Sequence, residues 1–377
     1  MKFRYVFVVL FSVWVSFSVA QTGGNEVYAF LKLPVSARVS AAAGGKLFSV
    51  RDNNPALAIM NPSMLNPSMN MGTSLNLVDY FTHTLYGHLN YIQSFKNIGT
   101  FDLAFNFANY GSFRGYDDYG NETEKFGAAD YAVIMGYGRE FIDSAFSMGM
   151  NVKWIFSQYE TYFSAGLGVD FAASYYHHRE NLSLTFLLSN VGTQFKSYAG
   201  IREKIPFEIQ LAISQRFKHV PIRYSITLQH LQKWDLSYKD PTDPFANIDV
   251  TTGEVIERGK FNKFGNNLLR HFVFGIEIIP IKYFSLQLSY NYNTRQEMRT
   301  YAKPGAIGLS YGAGIHVHHF DLYYARNHNN LASVPNHFTL STNIESLLNS
   351  KKNKEVKEVK TKDVKEVKES RENREVF

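Results

Sequence analysis

One short motif in this 377-residue chain has the spacing of a catalytic serine. The run Gly308-Leu-Ser310-Tyr-Gly312 matches the G-x-S-x-G pattern, in which a serine sits on a sharp turn between a strand and a helix. Here the residues around Ser310 alternate between apolar and polar as far as His316, which places Ser310 inside a predicted strand, on its polar face. The motif therefore lacks the turn that the chemistry requires, and the sequence predicts no enzyme.

Histidines gather at two predicted turns, which are His316, His318 and His319 at one and His177 and His178 at the other. A zinc site needs three or four ligands around one ion, and no carboxylate stands at ligand spacing from these histidines. Cysteine is absent, which excludes thiol nucleophiles, thiolate ligands and disulfides. We expect no metal ion and no cofactor.

The composition is that of a folded chain with many aromatic residues. Apolar residues make up 45%, charged residues 19% and aromatic residues 15%, with 31 Phe and 24 Tyr. The mean hydropathy of −0.22 is too polar for a helical membrane protein. The net charge of +6 comes mainly from the two ends, and residues 21–350 are close to neutral. A basic surface for nucleic acid is therefore not expected.

The first 20 residues have the pattern of an export signal. Lys2 and Arg4 precede an apolar run from Tyr5 to Val15, and Ser18 and Ala20 provide small residues at its end. The run is shorter than the roughly 20 residues of a spanning helix. We expect a signal peptide over 1–20, cleaved after Ala20, rather than a membrane anchor.

Past residue 70 the main signal is an alternation of apolar and polar residues, which gives a strand one apolar and one polar face. A soluble sandwich would bury the apolar face, whereas a membrane barrel would turn it toward lipid. The segments are long, and a tilted strand needs about 9–11 residues to cross a bilayer. Aromatic residues cluster near segment ends, as in membrane-interface girdles. The polar faces carry lone charges that suit a polar lumen, namely Asp102, Lys153, Asp170, Glu208, Arg223, Glu277 and Asp321.

The lengths of the connections give an independent test. Short and long connections alternate down the chain with two exceptions, 81–83 and 158–161, as in outer-membrane barrels, which have short periplasmic turns and longer external loops. The sequence therefore predicts an all-β, transmembrane outer-membrane β-barrel over 71–346. Its fourteen antiparallel strands are expected near 73–80, 84–93, 101–111, 127–138, 144–157, 162–177, 181–191, 205–217, 221–231, 270–280, 283–292, 305–316, 318–327 and 335–345.

Residues 21–70 do not alternate and are expected to form a plug inside the barrel. Residues 34–45 are small, good helix formers that end at a glycine stop, and Asn-Pro pairs mark turns further on. The alternative is a periplasmic arm. Glycine pairs on the inward strand faces would make room for the plug, and these are Gly136 with Gly138 and Gly312 with Gly314.

The chain ends in a low-complexity segment with ten Lys/Arg and seven Asp/Glu from Lys351 onward. Its valines are too sparse to form a core. We expect residues 347–377 to be a solvated, disordered tail.

Several longer stretches resemble the PorQ family of outer-membrane proteins of the type IX secretion system. These are residues 30–67, Asn109 to Asp117, Asn190 to Ile209 and Leu228 to Tyr238. More distantly, the chain is similar to FadL-type barrels, including PorV. The tail after Asn349 departs from the family pattern, which ends at the last strand. The matching plug motif consists of Ser36, Ala37, Arg38, Gly44, Gly45, Asn61 and Pro62.

The resemblance implies a non-enzymatic role in the outer membrane. Members of the PorQ family help to hold the cell-surface attachment complex, with PorU, PorV and PorZ. In that complex, secreted cargo is processed and joined to lipopolysaccharide. A PorZ-like surface protein is the implied partner. We expect the external loops 112–126, 192–204, 232–269 and 293–304 to form the contact surface, because they carry aromatic residues of the types enriched at interfaces. The candidates are Tyr116, Tyr119, Trp234, Tyr238, Phe245 and Phe261.

Two other function classes stay open on the sequence. A FadL-like pore for hydrophobic small molecules would show the same plug and barrel. It should also have an apolar pocket behind the plug and an opening in the wall. A membrane-embedded hydrolase would depend on Ser310 alone.

Overall fold

A computed structural model describes residues 26–80, 84–141, 144–237, 260–298, 305–329 and 334–348. Most of these residues belong to fourteen strands: β1 (Gly72–Asp79), β2 (Leu85–Phe95), β3 (Gly99–Tyr116), β4 (Glu122–Phe141), β5 (Phe146–Tyr159), β6 (Tyr162–His177), β7 (Leu182–Lys196), β8 (Glu208–Arg216), β9 (Ile222–Leu228), β10 (Phe272–Ile281), β11 (Phe284–Asn291), β12 (Leu309–Val317), β13 (Phe320–Asn327) and β14 (Asn336–Asn343). Each strand pairs with its neighbours in sequence, and β14 closes the ring by pairing with β1 in antiparallel register. The predicted closed barrel of fourteen antiparallel strands is confirmed.

The alternation along each strand separates a lipid face from a lumen face. In β10, Phe274, Ile276 and Ile278 point outward and are 40–46% exposed, whereas the residues between them are buried. Most of the large apolar side chains that are exposed along the other strands within the barrel alternate in the same way, as Phe101, Leu103 and Phe105 do in β3. This apolar outer face is the surface of a membrane-spanning barrel, on which lipid replaces a second protein layer.

The outward orientation of β10 predicts the cost of a charge at its centre. Replacing Ile276, which is 46% exposed on the outer face, by arginine should destabilise the barrel in lipid vesicles by about 2–4 kcal/mol. The same change at Ile201, which is 78% exposed in the β7–β8 loop, should change the stability little. Denaturant unfolding in vesicles measures both. Equal effects at the two positions would contradict the assignment of the outer face to lipid.

The two ends of the barrel differ in their connections. At the turn end, strands are joined by short turns such as 178–181, 217–221 and 282–283. At the loop end, the connections include 197–207, 229–271 and 292–308. Both β1 and β14 meet the turn end, where Gly72 lies opposite Asn343. By the rule for outer-membrane barrels, the turn end faces the periplasm and the loop end faces outward.

The structure corrects the predicted external loops in two ways. Much of the expected loop 112–126 belongs to strands, because β3 and β4 continue as a hairpin beyond the barrel, where Phe113 and Phe126 stack at 5.5 Å. Gly111, with a φ of +86°, interrupts the alternation at a register shift and conceals this extension in the sequence. The expected loops 232–269 and 293–304 instead contain helical residues, in α2 (Lys260–Arg270) and α3 (Tyr292–Met298), and the start of 192–204 belongs to β7.

Other predicted segments fall at the ends of the chain. The signal peptide over 1–20 and the tail from residue 349 lie outside the described residues, while residues 344–348 form a helical turn after β14. In the part of the chain that is described, no helix has both the length and the apolarity of a membrane span.

Candidate functional site

Residues 26–70 run through the barrel lumen, and this segment is called the plug below. It starts at the loop end, where the Val27 amide donates to the Lys204 carbonyl at 2.9 Å. It continues as one helix, α1 (Ala37–Ala43), and then reaches the turn end before it enters β1. Three single-turn 3₁₀ helices follow α1, and each begins with a proline after an asparagine. The fixed φ of proline suits that first helical position.

Both ends of α1 are satisfied by side chains of the plug and the wall. Ser36 caps its start by accepting a hydrogen bond from the Val39 amide at 3.2 Å. Gly44 ends it in the left-handed conformation, and its amide donates to Ser289 Oγ at 2.9 Å. The Ala37 amide donates to Thr339 Oγ1 at 2.7 Å. The helix is thus bonded at its two ends to two strands on one side of the barrel wall, β14 and β11, and is held at one depth.

Glycines on the lumen face let the plug approach the wall closely. A Cβ on Gly275 would collide with the Ala42 carbonyl, and one on Gly149 would collide with the backbone of Pro62. Of the predicted glycines, Gly138 and Gly312 lie against plug atoms and Gly136 is near Leu65. Gly314 instead faces side chains of the wall, Tyr323 and Ser285. Three of the four predicted glycines therefore make room for the plug, and Gly275 and Gly149 do so as well.

A buried ion-pair cluster, called the latch below, joins the plug to β9 and β10. Arg38 donates from Nε and Nη2 to the two carboxylate oxygens of Glu277, at 2.9 and 3.1 Å. Arg223 of β9 bonds to the same carboxylate, and Asp52 of the plug pairs with Arg38. The Arg38 side chain is only 6% exposed. Burial by itself lowers the pKa of Arg38, but Asp52 and Glu277 outweigh it and hold that pKa well above its ordinary value. The guanidinium is therefore a permanent charge that fixes the plug.

Two further ion pairs lie deeper in the lumen. Lys46 of the plug donates to both carboxylate oxygens of Glu208, each at 3.1 Å. Lys153 pairs with Asp170 at 2.8 Å, beside a bulge where Asn190 turns inward from β7 with a φ of +55°. Beside Glu208, burial and then the positive charge of Lys46 lower the pKa of His230 to about 4. The lumen is thus filled by paired charges rather than by apolar contacts alone.

The predicted plug motif is distributed along this interface. Ser36 and Gly44 cap α1, Ala37 contacts the wall, and Arg38 belongs to the latch. Gly45 also has a positive φ, and a side chain there would press on Pro34. Asn61 Nδ2 donates a hydrogen bond to Thr185 Oγ1 at 3.4 Å. Pro62 starts the second 3₁₀ turn after α1 and lies beside Gly149.

Ser310 occupies a regular strand position on the lumen face of β12, where it faces Ser289 and Asn327. It is 1% exposed, and its Oγ has no hydrogen-bond partner within the described residues. A strand–turn–helix elbow and a base to activate the hydroxyl are both missing from its described surroundings. The geometry does not support a catalytic serine.

The histidines do not converge on one site. His316, His318 and His319 belong to the β12–β13 hairpin, six strands around the ring from the β6–β7 hairpin that holds His177 and His178. One carboxylate does lie beside His316, whose Nδ1 is 2.8 Å from Asp321 Oδ1, but the described residues contain no group of three side chains that could hold a metal ion. The register of the hairpin places those two residues opposite each other, which the sequence spacing conceals.

The predicted partner-contact residues lie at the loop end, in two separate groups. Tyr116 and Tyr119 are 61% and 92% exposed at the tip of the β3–β4 hairpin. Trp234 is 51% exposed and packs against Phe264 of α2 at 5.3 Å, on the far side of the ring. The structure therefore does not bring the two groups together. Tyr238 and Phe245, and the side chain of Phe261, lie outside the described residues.

A cavity of about 980 Å³, called the vestibule below, opens at the turn end. It lies between plug residues 50–54 and the β8–β9 and β10–β11 turns. Charged side chains from the latch and the rim line it, among them Arg216, Lys282 and Glu277. Its lining comes from turns that are far apart in the chain, so no local sequence pattern predicts it.

The likenesses of this chain to known proteins are distant. No family model matches the chain, and no curated protein matches it. The chain is similar to the Pseudomonas putida toluene transporter TodX, with a TM-score of 0.45 and 10% identity over 82% of this chain and 96% of that one. It is similar to a Pseudomonas aeruginosa FadL homologue, with a TM-score of 0.45 and 11% identity over 82% and 98% of the two chains. At these identities the likeness concerns the barrel fold alone.

Proposed function

We propose that this protein is a plugged barrel of the outer membrane that holds a secretion complex at the cell surface and does not conduct apolar solutes. The observation that supports the closed barrel of this proposal, rather than a conduit, is the polar, ion-paired interior. Arg38, Lys46 and Lys153 each meet a buried carboxylate, and the cavity behind the plug is lined by charged side chains. A conduit for hydrophobic molecules would need an apolar pocket in that place.

The secretion assignment takes its partners from the resemblance of residues 30–67 and 190–209 to the PorQ family. On this proposal the barrel belongs to the type IX secretion system and anchors a PorZ-like protein, together with PorU and PorV. Their complex processes secreted cargo and joins it to lipopolysaccharide. The loop end supports the proposal because it presents exposed aromatic side chains, Tyr116, Tyr119 and Trp234, to the outside.

Exchanging the loop 232–269 for a short turn should abolish retention of the partner at the surface. This segment carries Trp234 and most of α2, which pack against each other through Phe264. Affinity purification of the tagged barrel from outer membranes measures the retention. We expect one surface protein to accompany the wild type and to be lost from the exchanged variant.

The control is the double change Tyr116→Ser and Tyr119→Ser on the opposite side of the rim. It tests whether retention of the partner needs both aromatic groups. A partner that binds α2 alone should still be retained by this variant. Full retention by the loop-exchanged variant would refute the proposed contact surface, and absence of a surface protein from the wild-type sample would refute the anchoring function.

A pore for hydrophobic small molecules is the second candidate, and it takes its substrate class from TodX, which transports toluene. One observation favours it. An apolar groove of about 370 Å³ on the outer face of β1 and β12–β14 is lined by Leu75, Leu77, Ile315, Leu322, Phe338 and Leu340. The strand pairs beneath this groove are continuous, however, so it lies on the wall without opening it.

A deletion strain separates the two candidates. Loss of surface-attached cargo with normal toluene uptake would favour anchoring. Loss of toluene uptake with normal cargo attachment would favour the pore.

A further inference from the structure

The vestibule at the turn end has more positive than negative side chains in its lining. Six of the lining residues are Arg or Lys and three are Asp or Glu. The bases are Arg38, Arg51, Arg216, Lys218, Arg223 and Lys282, and the acids are Asp52, Glu277 and Asp321. Two histidines, His219 and His316, also line it.

The carboxylates of the vestibule are already paired. Glu277 is shared by Arg38 and Arg223, Asp52 pairs with Arg38, and Asp321 pairs with His316. No side chain remains to neutralise Arg216 and Lys282 at the rim, since neither has a carboxylate within 4 Å in the described part of the chain. The unbalanced charge of the cavity is therefore positive and accessible.

The two unpaired cations are set apart along the rim. Arg216 ends β8, and the strand register places it level with Glu277, whereas Lys282 lies five residues further along, just past the end of β10. Two strand spacings and this offset separate the two backbone positions by roughly 15–20 Å. That distance is too long for one small anion to bridge. It suits an elongated ligand with several carboxylates. The exposed side chain of Val220, in the turn after β8, adds apolar surface for the rest of such a ligand.

We propose that the vestibule binds an acidic peptide segment of a periplasmic protein. A volume of about 980 Å³ lies at the upper end of ligand sites, so it admits several residues of an extended chain. The guanidinium of Arg216 matches a carboxylate in two-point geometry, and Lys282 supplies a second point charge. The chain's own tail is the wrong occupant, because its ten bases and seven acids give it a net positive charge.

The site also gives the ligand contact with the plug. Arg51, Asp52 and Asn53 form part of its lining, and Arg51 is paired with Glu140 of the wall. A bound segment thus touches the barrel rim and the plug at once. The vestibule therefore provides a periplasmic connection that is separate from the loop end, where the proposed surface partner binds.

The test uses the full-length protein in detergent micelles and a fluorescein-labelled hexaglutamate peptide, followed by fluorescence anisotropy. Hexaserine and hexalysine serve as comparison peptides. We expect hexaglutamate to bind at least tenfold more tightly than either, and its affinity to fall as salt is added. The double change Arg216→Gln and Lys282→Gln should raise its Kd at least fivefold.

The matched control changes two exposed cations of the loop end, Lys196→Gln and Arg202→Gln, and should leave the Kd unchanged. Retention of heat-modifiable mobility on gels shows that each variant keeps its barrel. Equal binding of hexaglutamate and hexaserine would overturn the proposal, as would an unchanged Kd in the Arg216/Lys282 variant. Displacement of the peptide by an equal concentration of pyrophosphate would also overturn it, since it would assign the site to small anions.

Discussion

Replacing Arg38 by methionine should release the plug from the wall. The change leaves Asp52 without its buried partner and leaves Glu277 with Arg223 and Gln287. Removing one member of a buried ion pair costs about 3–5 kcal/mol, and we expect a cost near the lower end of that range, because Glu277 keeps Arg223 and the Asp52 side chain is 28% exposed. Hydrogen exchange of the α1 amides measures this cost as a lower free energy of local opening.

Two variants make that experiment specific. Arg38→Lys keeps the charge but loses the two-point contact with Glu277, so it should give an intermediate effect. Lys32→Met breaks the pair with Glu26 near the loop end, where both side chains are more than a quarter exposed, and should cost less than about 1 kcal/mol. Equal rates of hydrogen exchange at the α1 amides in Arg38→Met and Lys32→Met would show that the latch does not hold the plug in place.

A side chain at Gly275 should prevent the plug from docking at all. The Cβ of a valine at this position would occupy the space of the Ala42 carbonyl and of Ser225 Oγ. Both atoms are needed there, because Ser225 Oγ donates to that carbonyl at 3.0 Å. In the Gly275→Val variant the barrel should therefore stay intact, but added protease should cleave the undocked plug.

Gly168→Ala is the matched control on the same lumen face. A Cβ at Gly168 has ordinary contacts, 3.6 Å from Ile155 Cδ1 and 3.9 Å from Lys153 Cβ. Its plug should remain as protected as that of the wild type. If protease cleaved the plug of neither variant, the close approach of α1 to β10 would not be what holds it.

The barrel could be predicted from the sequence because each strand repeats the same local pattern. The alternation in residues 162–177 coincides with β6 as observed, and the inward charges Asp102, Lys153 and Glu277 are buried as the pattern indicates. The fixed period of two leaves little freedom for the direction in which a side chain points. Fold and lumen face therefore follow from local spacing alone.

The arrangement of the site depends on distances across the ring, which local spacing does not contain. Arg38 meets Glu277 although 239 positions separate them in the chain. The alternation predicted that Glu277 faces the lumen, and Arg38 belongs to the predicted plug, but nothing in the sequence identifies them as partners. The continuation of β3 to Tyr116 was concealed by a bulge, and the vestibule by the dispersal of its lining over several turns.

Swelling of liposomes in arabinose tests most directly whether the plug closes this barrel. Vesicles that contain the wild-type protein should swell no faster than protein-free vesicles. Vesicles with Gly275→Val should swell faster, because the same ring then has an unfilled lumen. Swelling of wild-type vesicles at the rate of the Gly275→Val vesicles would show an open pore and would contradict the closed, anchoring barrel.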